Sequence, residues 1–208
     1  AWTLNDANSV LPGPVNSNGL RGPNLGCPTP ILPLTGSKAA VDASLNGLSA
    51  WNRGGTLTDI GIAWGLRTLS PGAPFTESTE IDPSTGDSIF TSERWEKAMV
   101  IMTDGDSLFH ELGSTADLNE PDPNSASDVT GYGRADSAHA NSILGNWTTH
   151  AARRATLQTR IEALCTRAKN EGIVVYTVVF TSGVSSAIRD SYRRCASDPG
   201  KYWYAPNG

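Results

Sequence analysis

The stretch Ala98-Met99-Val100-Ile101-Met102, which leads directly into Thr103-Asp104-Gly105, is the part of the sequence that decides the fold. A short, continuous apolar run of this kind is typical of a strand that is buried on both faces, as in a parallel sheet. A second such run covers residues 173–180. We therefore predict two parallel strands near the centre of the domain, each covered on both faces.

Helical patterns alternate with these strands along the chain. Residues 37–50 and 56–69 carry apolar side chains at helical spacing, and the pattern over 148–169 is the clearest. Gly172 is placed to end that third helix, and a fourth helix is predicted over 184–195. Strands that alternate with helices imply an α/β fold with right-handed crossovers. The predicted architecture has three layers, in which a mostly parallel, doubly wound sheet lies between helices.

The remaining segments are less regular. Residues 1–30 are rich in Asn, Gly and Pro and are predicted to form an irregular arm, while 31–34 could be an edge strand that tolerates its proline. Residues 106–147 are polar, and so long a loop within a domain usually has a function or is mobile. Residues 201–204 resemble a short strand. The predicted domain therefore covers 31–208.

The composition excludes several classes of protein. The chain has 208 residues, 38% of them hydrophobic, and a formal net charge of −5. A nucleic-acid-binding protein would show a basic stripe, and this sequence has none. No apolar run approaches the roughly 18–20 residues that span a bilayer. Because the sequence has neither an initiator Met nor a signal peptide, we interpret it as a piece of a longer protein, so the missing signal says little about location.

Two side chains with oxygen ligands belong at the edge of the sheet where parallel strands end. Asp104 follows the strand at 98–102, and Thr56 stands at the start of the helix at 56–69. Ligands of α/β sheets bind beyond the carboxyl ends of the strands, and a carboxylate with a hydroxyl suits Mg²⁺ or Ca²⁺. A capping box formed by Thr56 and Asp59, together with an Asp-Gly turn, would explain the same residues without a metal. Both interpretations remain open at this stage.

Other polar and aromatic side chains have simpler structural interpretations. We assign Trp64 and Trp95 to packing, and we assign Asp106 and His110 to the polarity of their loop. Four arginines of the helix at 148–169 are assigned to a solvated face; they are Arg153, Arg154, Arg160 and Arg167.

Several motifs carry a resemblance to a known family. The stretches Gly54-Gly55-Thr56-Leu57-Thr58 and Val100-Ile101-Met102-Thr103-Asp104-Gly105 resemble the second and third motifs of the metal-ion-dependent adhesion site of von Willebrand factor A domains. Further stretches resemble the C-terminal A domain of TadG-like, tight-adherence pilus-assembly proteins. They are Gly22-Pro23-Asn24-Leu25-Gly26-Cys27, Ile31-Leu32-Pro33-Leu34-Thr35, Ala63-Trp64-Gly65-Leu66-Arg67-Thr68-Leu69-Ser70-Pro71, Gly172-Ile173-Val174-Val175-Tyr176-Thr177-Val178 and Cys195-Ala196-Ser197.

The sequence departs from this family at its first metal motif. That motif, Asp-x-Ser-x-Ser on the first strand, is absent, and Asp42-Ala43-Ser44-Leu45-Asn46 lies in a predicted helix and ends in Asn. The resemblance therefore implies a von Willebrand factor A-like domain that lacks its first strand. In the intact domain Thr56 and Asp104 would be ligands of Mg²⁺, Mn²⁺ or Ca²⁺, whereas this chain alone need not bind a metal.

The function implied by the resemblance is that of a binding and assembly module and not of an enzyme. The expected partners are proteins of a bacterial Flp-type pilus-assembly or surface-adhesion system, with no nucleic acid. The parent protein would be anchored in the inner membrane outside this segment. Its A domain would then face the periplasm or the cell exterior.

A phosphatase is the alternative interpretation of the same strand. Haloacid-dehalogenase-type phosphatases also place Asp-x-Asp after an apolar strand, and here Asp104 would be the nucleophile and Asp106 the acid/base, with Mg²⁺. Those enzymes carry the motif on their first strand and need an acidic pair at a later strand end. The strand at 173–180 is instead followed by Thr-Ser-Gly, so the sequence favours the binding module.

The three cysteines, Cys27, Cys165 and Cys195, show no Cys-x-x-Cys spacing. In the predicted topology the helices at 148–169 and 184–195 both end at the amino-terminal edge of the sheet. We therefore predict a disulfide between Cys165 and Cys195, which would support an oxidising, extracytoplasmic location. Cys27 is a competing partner, although we expect its own partner upstream of this chain, and a simple core role for Cys165 is the alternative.

Overall fold

The computed structural model describes residues 29–48, 55–88, 96–105, 107–109, 129–134, 143–145 and 150–206. The helices in these ranges are α1 (Lys38–Asn46), α2 (Thr58–Leu69), α3 (His150–Asn170) and α4 (Ser186–Cys195). The strands are β1 (Gly55–Thr56), β2 (Ala98–Thr103), β3 (Leu108–Phe109), β4 (Val129–Thr130), β5 (Gly133–Arg134), β6 (Val174–Val179) and β7 (Tyr202–Tyr204). Most of the predicted arm at 1–30 lies outside the described residues.

The chain divides into two compact units. The first consists of residues 1–32, 37–55 and 109–148, and the second of residues 33–36, 56–108 and 149–208. The predicted domain at 31–208 thus draws on both units. Each unit is described separately below.

In the first unit, α1 begins at a well-formed cap. The Ser37 hydroxyl accepts a hydrogen bond from the Ala40 N–H at 3.3 Å, which satisfies one of the first amide groups of the helix. The helix ends at Asn46, earlier than the predicted range of 37–50. Within the predicted loop at 106–147, β4 and β5 pair as a short antiparallel hairpin. This segment is therefore not wholly irregular.

The predicted edge strand at 31–34 is wrong. Residues 29–35 carry no regular secondary structure, and Ile31, Leu32 and Leu34 are exposed. The physical reason lies in the sequence, because Pro30 and Pro33 have no backbone N–H to donate to a neighbouring strand.

The second unit contains a three-stranded parallel sheet with the strand order β2-β6-β7. β2 and β6 align from Ala98 opposite Val174 to Thr103 opposite Val179, and β7 pairs with the other edge of β6. Along the chain, α2 precedes β2, and α3 lies between β2 and β6. This is the alternating order that the sequence predicts. The prediction of an α/β fold with a parallel sheet is therefore confirmed.

The hydrophobic core lies on the face of this sheet that α2, α3 and α4 cover. Met99 and Ile101 of β2 belong to one buried cluster with residues of all three helices. The apolar face that the sequence predicts for α3 is mostly buried. Four of its side chains are fully or almost fully buried: Leu157, Ile161, Cys165 and Ala168. Leu164, the fifth residue of the predicted face, is partly buried.

Gly172 ends α3 as predicted. Its φ of 75° lies in the left-handed region, which glycine adopts without steric cost. This conformation allows the Ile173 N–H to donate to the Ala168 carbonyl at 3.0 Å, closing the last turn before β6 begins.

Among the described residues, no helix is long and apolar enough to cross a bilayer.

The opposite face of the sheet is exposed along β2 and half-buried along β6, which corrects the prediction that the central strands are buried on both faces. Along β2, exposed and buried side chains alternate, and Val100 and Met102 are 61% and 63% exposed. On the same face, Trp203 of β7 stacks on Tyr176 of β6, with 5.9 Å between the ring centroids. Within the described residues, the helices thus form one layer and not the two that a three-layer domain requires.

Candidate functional site

The candidate site lies where β2 ends and α2 begins. Thr103, the last residue of β2, is buried, and its hydroxyl donates to the Gly105 carbonyl at 3.0 Å and accepts from the Gly105 N–H at 3.3 Å. These two bonds fold the chain into a tight turn directly after the strand. Asp104 lies within that turn and is exposed, so its carboxylate faces solvent at the carboxyl edge of the sheet.

The N-terminus of α2 is held by a serine from the segment after β2. The Thr58 N–H donates to the Ser107 hydroxyl at 3.3 Å, and Ser107 is only 3% exposed. Leu57, at the cap position, makes no capping bond with its side chain. This contact brings the segment that follows Asp104 against the start of α2.

Thr56 does not cap α2, and this part of the prediction is wrong. The residue lies in β1, two positions before the first helical residue, and its side chain is half-buried. The reason is tertiary, because Ser107 supplies the acceptor at the helix N-terminus that the sequence pattern assigned to Thr56. The capping explanation for Thr56 is therefore excluded.

Asp59 and Arg160 form an ion pair that the sequence interpretation missed. Asp59 lies in the first turn of α2 and is fully buried, and Arg160 of α3 donates from Nε to its Oδ2 at 3.2 Å. The assignment of Asp59 to a capping box is thus wrong, and so is the assignment of Arg160 to a solvated face. The pair fixes the start of α2 against α3 and so supports the edge on which Thr56 and Asp104 lie.

The oxygen groups at this edge supply part of a coordination shell for a hard cation. Asp104 offers one carboxylate, while Thr56 and Ser107 offer hydroxyls, and the Ser107 oxygen already accepts from Thr58. In the part of the chain that the structure describes, no three His, Cys, Asp or Glu side chains cluster as a metal site would require. Asp106 and His110 lie outside the described residues. A single carboxylate would leave Mg²⁺ mostly hydrated, so these residues alone do not complete a site.

The two cysteines predicted to pair lie together at the other edge of the sheet. Cys165 of α3 and Cys195 of α4 form a disulfide, with their Cα atoms 5.2 Å apart. Two residues beyond Cys195, the Ser197 N–H donates to the carbonyl of Val175 near the start of β6, which places this linkage near the amino-terminal edge. Cys27 lies outside the described residues.

Trp64 is a further residue from the sequence interpretation that can be placed. Trp64 packs edge-on against Phe75, with 6.1 Å between the ring centroids, although more than a third of its surface is exposed. Lys97, which the sequence interpretation did not single out, is buried, and its Nζ donates to the Leu69 carbonyl at 2.6 Å. Burial lowers the pKa of Lys97. Trp95 lies outside the described residues.

The comparisons with known proteins are sparse. No protein-family model matches the chain, and no curated protein matches it. Among solved structures, the chain is similar to proximal thread matrix protein 1 from the mussel byssus, in two crystal forms with TM-scores of 0.41 and 0.40. The sequence identities are 12% and 13%, over 82% and 84% of this chain but only 25% and 29% of that protein. A likeness at this level carries no argument about function.

Proposed function

We propose that this chain is the greater part of a von Willebrand factor A-type domain that binds proteins during assembly of a bacterial Flp-type pilus or during surface adhesion. The observation that carries the proposal is the contact between Thr58 and Ser107 at 3.3 Å, which joins the segment after Asp104 to the start of α2. Both motifs behind the family resemblance thereby belong to one edge of a parallel sheet, the edge at which α/β domains bind their ligands.

Within the described residues no strand pairs with the outer edge of β2, and this edge and the exposed face of the sheet support the finer, three-layer architecture. The backbone carbonyls of Lys97 and Thr103 accept hydrogen bonds from the β6 side. Successive residues of a strand direct their backbone groups to opposite sides, so the backbone groups of Val100 and Met102 point away from β6. The side chains of these two residues are exposed as well. Parallel sheets are normally covered on both faces. We infer that in the intact domain a further strand pairs with β2 and further helices cover this face.

The role of the metal follows from the same arrangement. In the intact domain the Asp104 carboxylate and the Thr56 hydroxyl would ligate Mg²⁺, Mn²⁺ or Ca²⁺ together with the family's first motif. Bound there, such a cation would offer a contact to an acidic group of the partner protein. The domain itself would position Asp104 in the turn after β2 and hold the start of α2 through Ser107 and the Asp59–Arg160 pair. We propose an envelope location, periplasmic or extracellular, for a parent anchored in the inner membrane.

Calorimetric titration of Mn²⁺ and Mg²⁺ into the full-length parent protein tests this proposal. We expect a dissociation constant below about 1 mM, lost in Asp104→Asn and weakened in Thr56→Ala. Asp87→Asn is a matched control, because Asp87 lies in a separate turn and its main-chain carbonyl bonds the Asp82 N–H. Binding that is equally strong in all three variants would contradict the metal role, and absence of the parent from the cell envelope would contradict the location.

A further inference from the structure

A cleft lies at the C-terminal end of α2, separate from the candidate metal edge at its N-terminal end. The cleft has a volume of about 280 Å³ and lies between the last two turns of α2, the loop 70–73 and the last two turns of α3. It is built largely from the stretch Ala63–Pro71. This stretch carries part of the family resemblance but takes no part in the candidate metal site.

The cleft is well separated from Asp104. α2 runs for 12 residues from Thr58 to Leu69, so its two ends are about 18 Å apart at 1.5 Å per residue. The bond from Lys97 Nζ to the Leu69 carbonyl fixes the end of α2 beside the start of β2, at the opposite edge of the sheet from Asp104. A ligand in the cleft would therefore not contact the residues proposed to bind the metal.

Two arginines and two leucines line this cleft. Leu164 is partly buried and supplies apolar surface, Leu66 is almost fully buried, and Arg67 and Arg167 are the charged residues of the lining. Arg167 is paired with Glu171 at 2.7 Å. Arg67 instead stacks over the Trp64 ring at 5.6 Å, and no carboxylate of the described residues forms an ion pair with it.

The position of Arg67 is held by its surroundings. Trp64 lies beneath the guanidinium and is itself braced by the edge of Phe75. The loop wall depends on Gly72, whose φ of 113° is a conformation that side chains disfavour. The Ser70 hydroxyl donates to the Leu66 carbonyl at 2.7 Å and is thereby engaged within the protein. Arg67 is thus the cationic group of the cleft that is both held in place and available to a ligand.

We propose that the cleft binds an acidic segment of a partner protein, in which a carboxylate pairs with Arg67 and an adjacent aliphatic side chain packs on Leu164. A guanidinium matches a carboxylate through two parallel hydrogen bonds, and stacking on an aromatic ring reduces the freedom that binding would remove. The volume of about 280 Å³ suits one or two side chains and not a larger ligand. The charge of Arg67 favours an acidic residue of the partner, and the apolar surface of Leu164 favours an aliphatic residue next to it.

The test titrates the ¹⁵N-labelled chain with acetyl-Leu-Glu-amide and follows the amide resonances by nuclear magnetic resonance. The neutral isostere acetyl-Leu-Gln-amide, acetyl-Gly-Glu-amide and inorganic phosphate serve as comparison probes. We expect saturable shifts at residues 63–73 and 164–167, with the Leu-Glu probe binding about tenfold or more tightly than the Leu-Gln probe. The Gly-Glu probe and phosphate are expected to bind more weakly than Leu-Glu.

Three variants show whether the cleft itself is responsible. Arg67→Met should weaken binding of the Leu-Glu probe about tenfold or more, and Ala63→Phe, which narrows the cleft without changing charge, should weaken it too. Arg193→Met is the matched control, because Arg193 also stacks over an aromatic ring, that of Tyr202 at 5.0 Å, but lies on α4 away from the cleft. The Arg193→Met variant should bind the Leu-Glu probe with the same affinity as the unmodified chain.

Several results would overturn the proposal. They are shifts that map elsewhere, equal affinity for the Leu-Glu and Leu-Gln probes, tighter binding of phosphate, and undiminished binding in Arg67→Met or Ala63→Phe variants whose spectra show a folded protein. Asp104→Asn should leave binding of the probe unchanged. Failure of the cleft therefore remains distinguishable from failure of the proposed metal-dependent function.

Discussion

Arg160 of α3 reaches across 101 positions of sequence to donate a hydrogen bond from Nε to Oδ2 of Asp59, which is fully buried in the first turn of α2. A buried carboxylate is strongly destabilising unless it is paired or otherwise hydrogen-bonded. The pair therefore links the stability of the unit to the position of α2. It also holds the helix N-terminus that forms one side of the candidate site.

Replacing Arg160 tests this link. We expect Arg160→Met to lower the free energy of unfolding by about 2–3 kcal/mol, because the buried Asp59 carboxylate loses its ion pair with Arg160. Urea unfolding followed by circular dichroism measures the change. Arg167→Met is the control, since its partner Glu171 is partly exposed and the pair lies at the surface, and it should cost less than about 1 kcal/mol. Equal losses of unfolding free energy in the two variants would show that the Asp59–Arg160 pair stabilises the fold no more than a surface ion pair does.

The disulfide between Cys165 and Cys195 makes a second prediction. It closes a loop with a sequence separation of 30, and in the chain-entropy model such a bond stabilises the fold by about 3–4 kcal/mol. We expect the Cys165→Ala, Cys195→Ala double variant to lose stability of that order under oxidising conditions. Non-reducing peptide mapping checks the linkage itself. The pairing is refuted if Cys27 is found bonded to either residue, or if all three thiols are free in oxidised protein.

The open face of the sheet predicts unequal effects for neighbouring residues of β2. Ile101→Ala should cost about 2–5 kcal/mol, because Ile101 belongs to the core beneath the helices. Val100→Ala and Met102→Ala should each cost less than about 1 kcal/mol in this chain, since both side chains are largely exposed. Urea unfolding of the three variants provides the comparison. In the full-length parent, the proposed covering layer should make Met102→Ala clearly more destabilising than it is here.

The proposal of a binding module predicts that the chain has no phosphatase activity. β6 ends at Val179 and is followed by Phe180, Thr181 and Ser182, where a haloacid-dehalogenase-type enzyme would place acidic residues. Incubation with p-nitrophenyl phosphate and Mg²⁺ should therefore release no more product than buffer does. Turnover that disappears in Asp104→Asn would instead establish the phosphatase, with Asp104 as its nucleophile.

The sequence alone determined the elements whose patterns are local. The apolar face of α3, the end of that helix at Gly172 and the two strands β2 and β6 were all predictable, because each depends on periodicity or backbone preference within a few residues. The pairing of Cys165 with Cys195 followed from the topology that those elements imply. Thr56 and Asp104 were assigned to one edge of the sheet for the same reason.

Only the tertiary structure decided which groups meet at that edge. Ser107 replaces Thr56 as the acceptor at the start of α2, and Asp59 pairs with Arg160, because both partners come from distant parts of the chain. The exposure of Met102 was also beyond local prediction. A continuous apolar strand has the same sequence pattern whether one or both of its faces are covered, since burial depends on which elements pack against it and not on the strand itself.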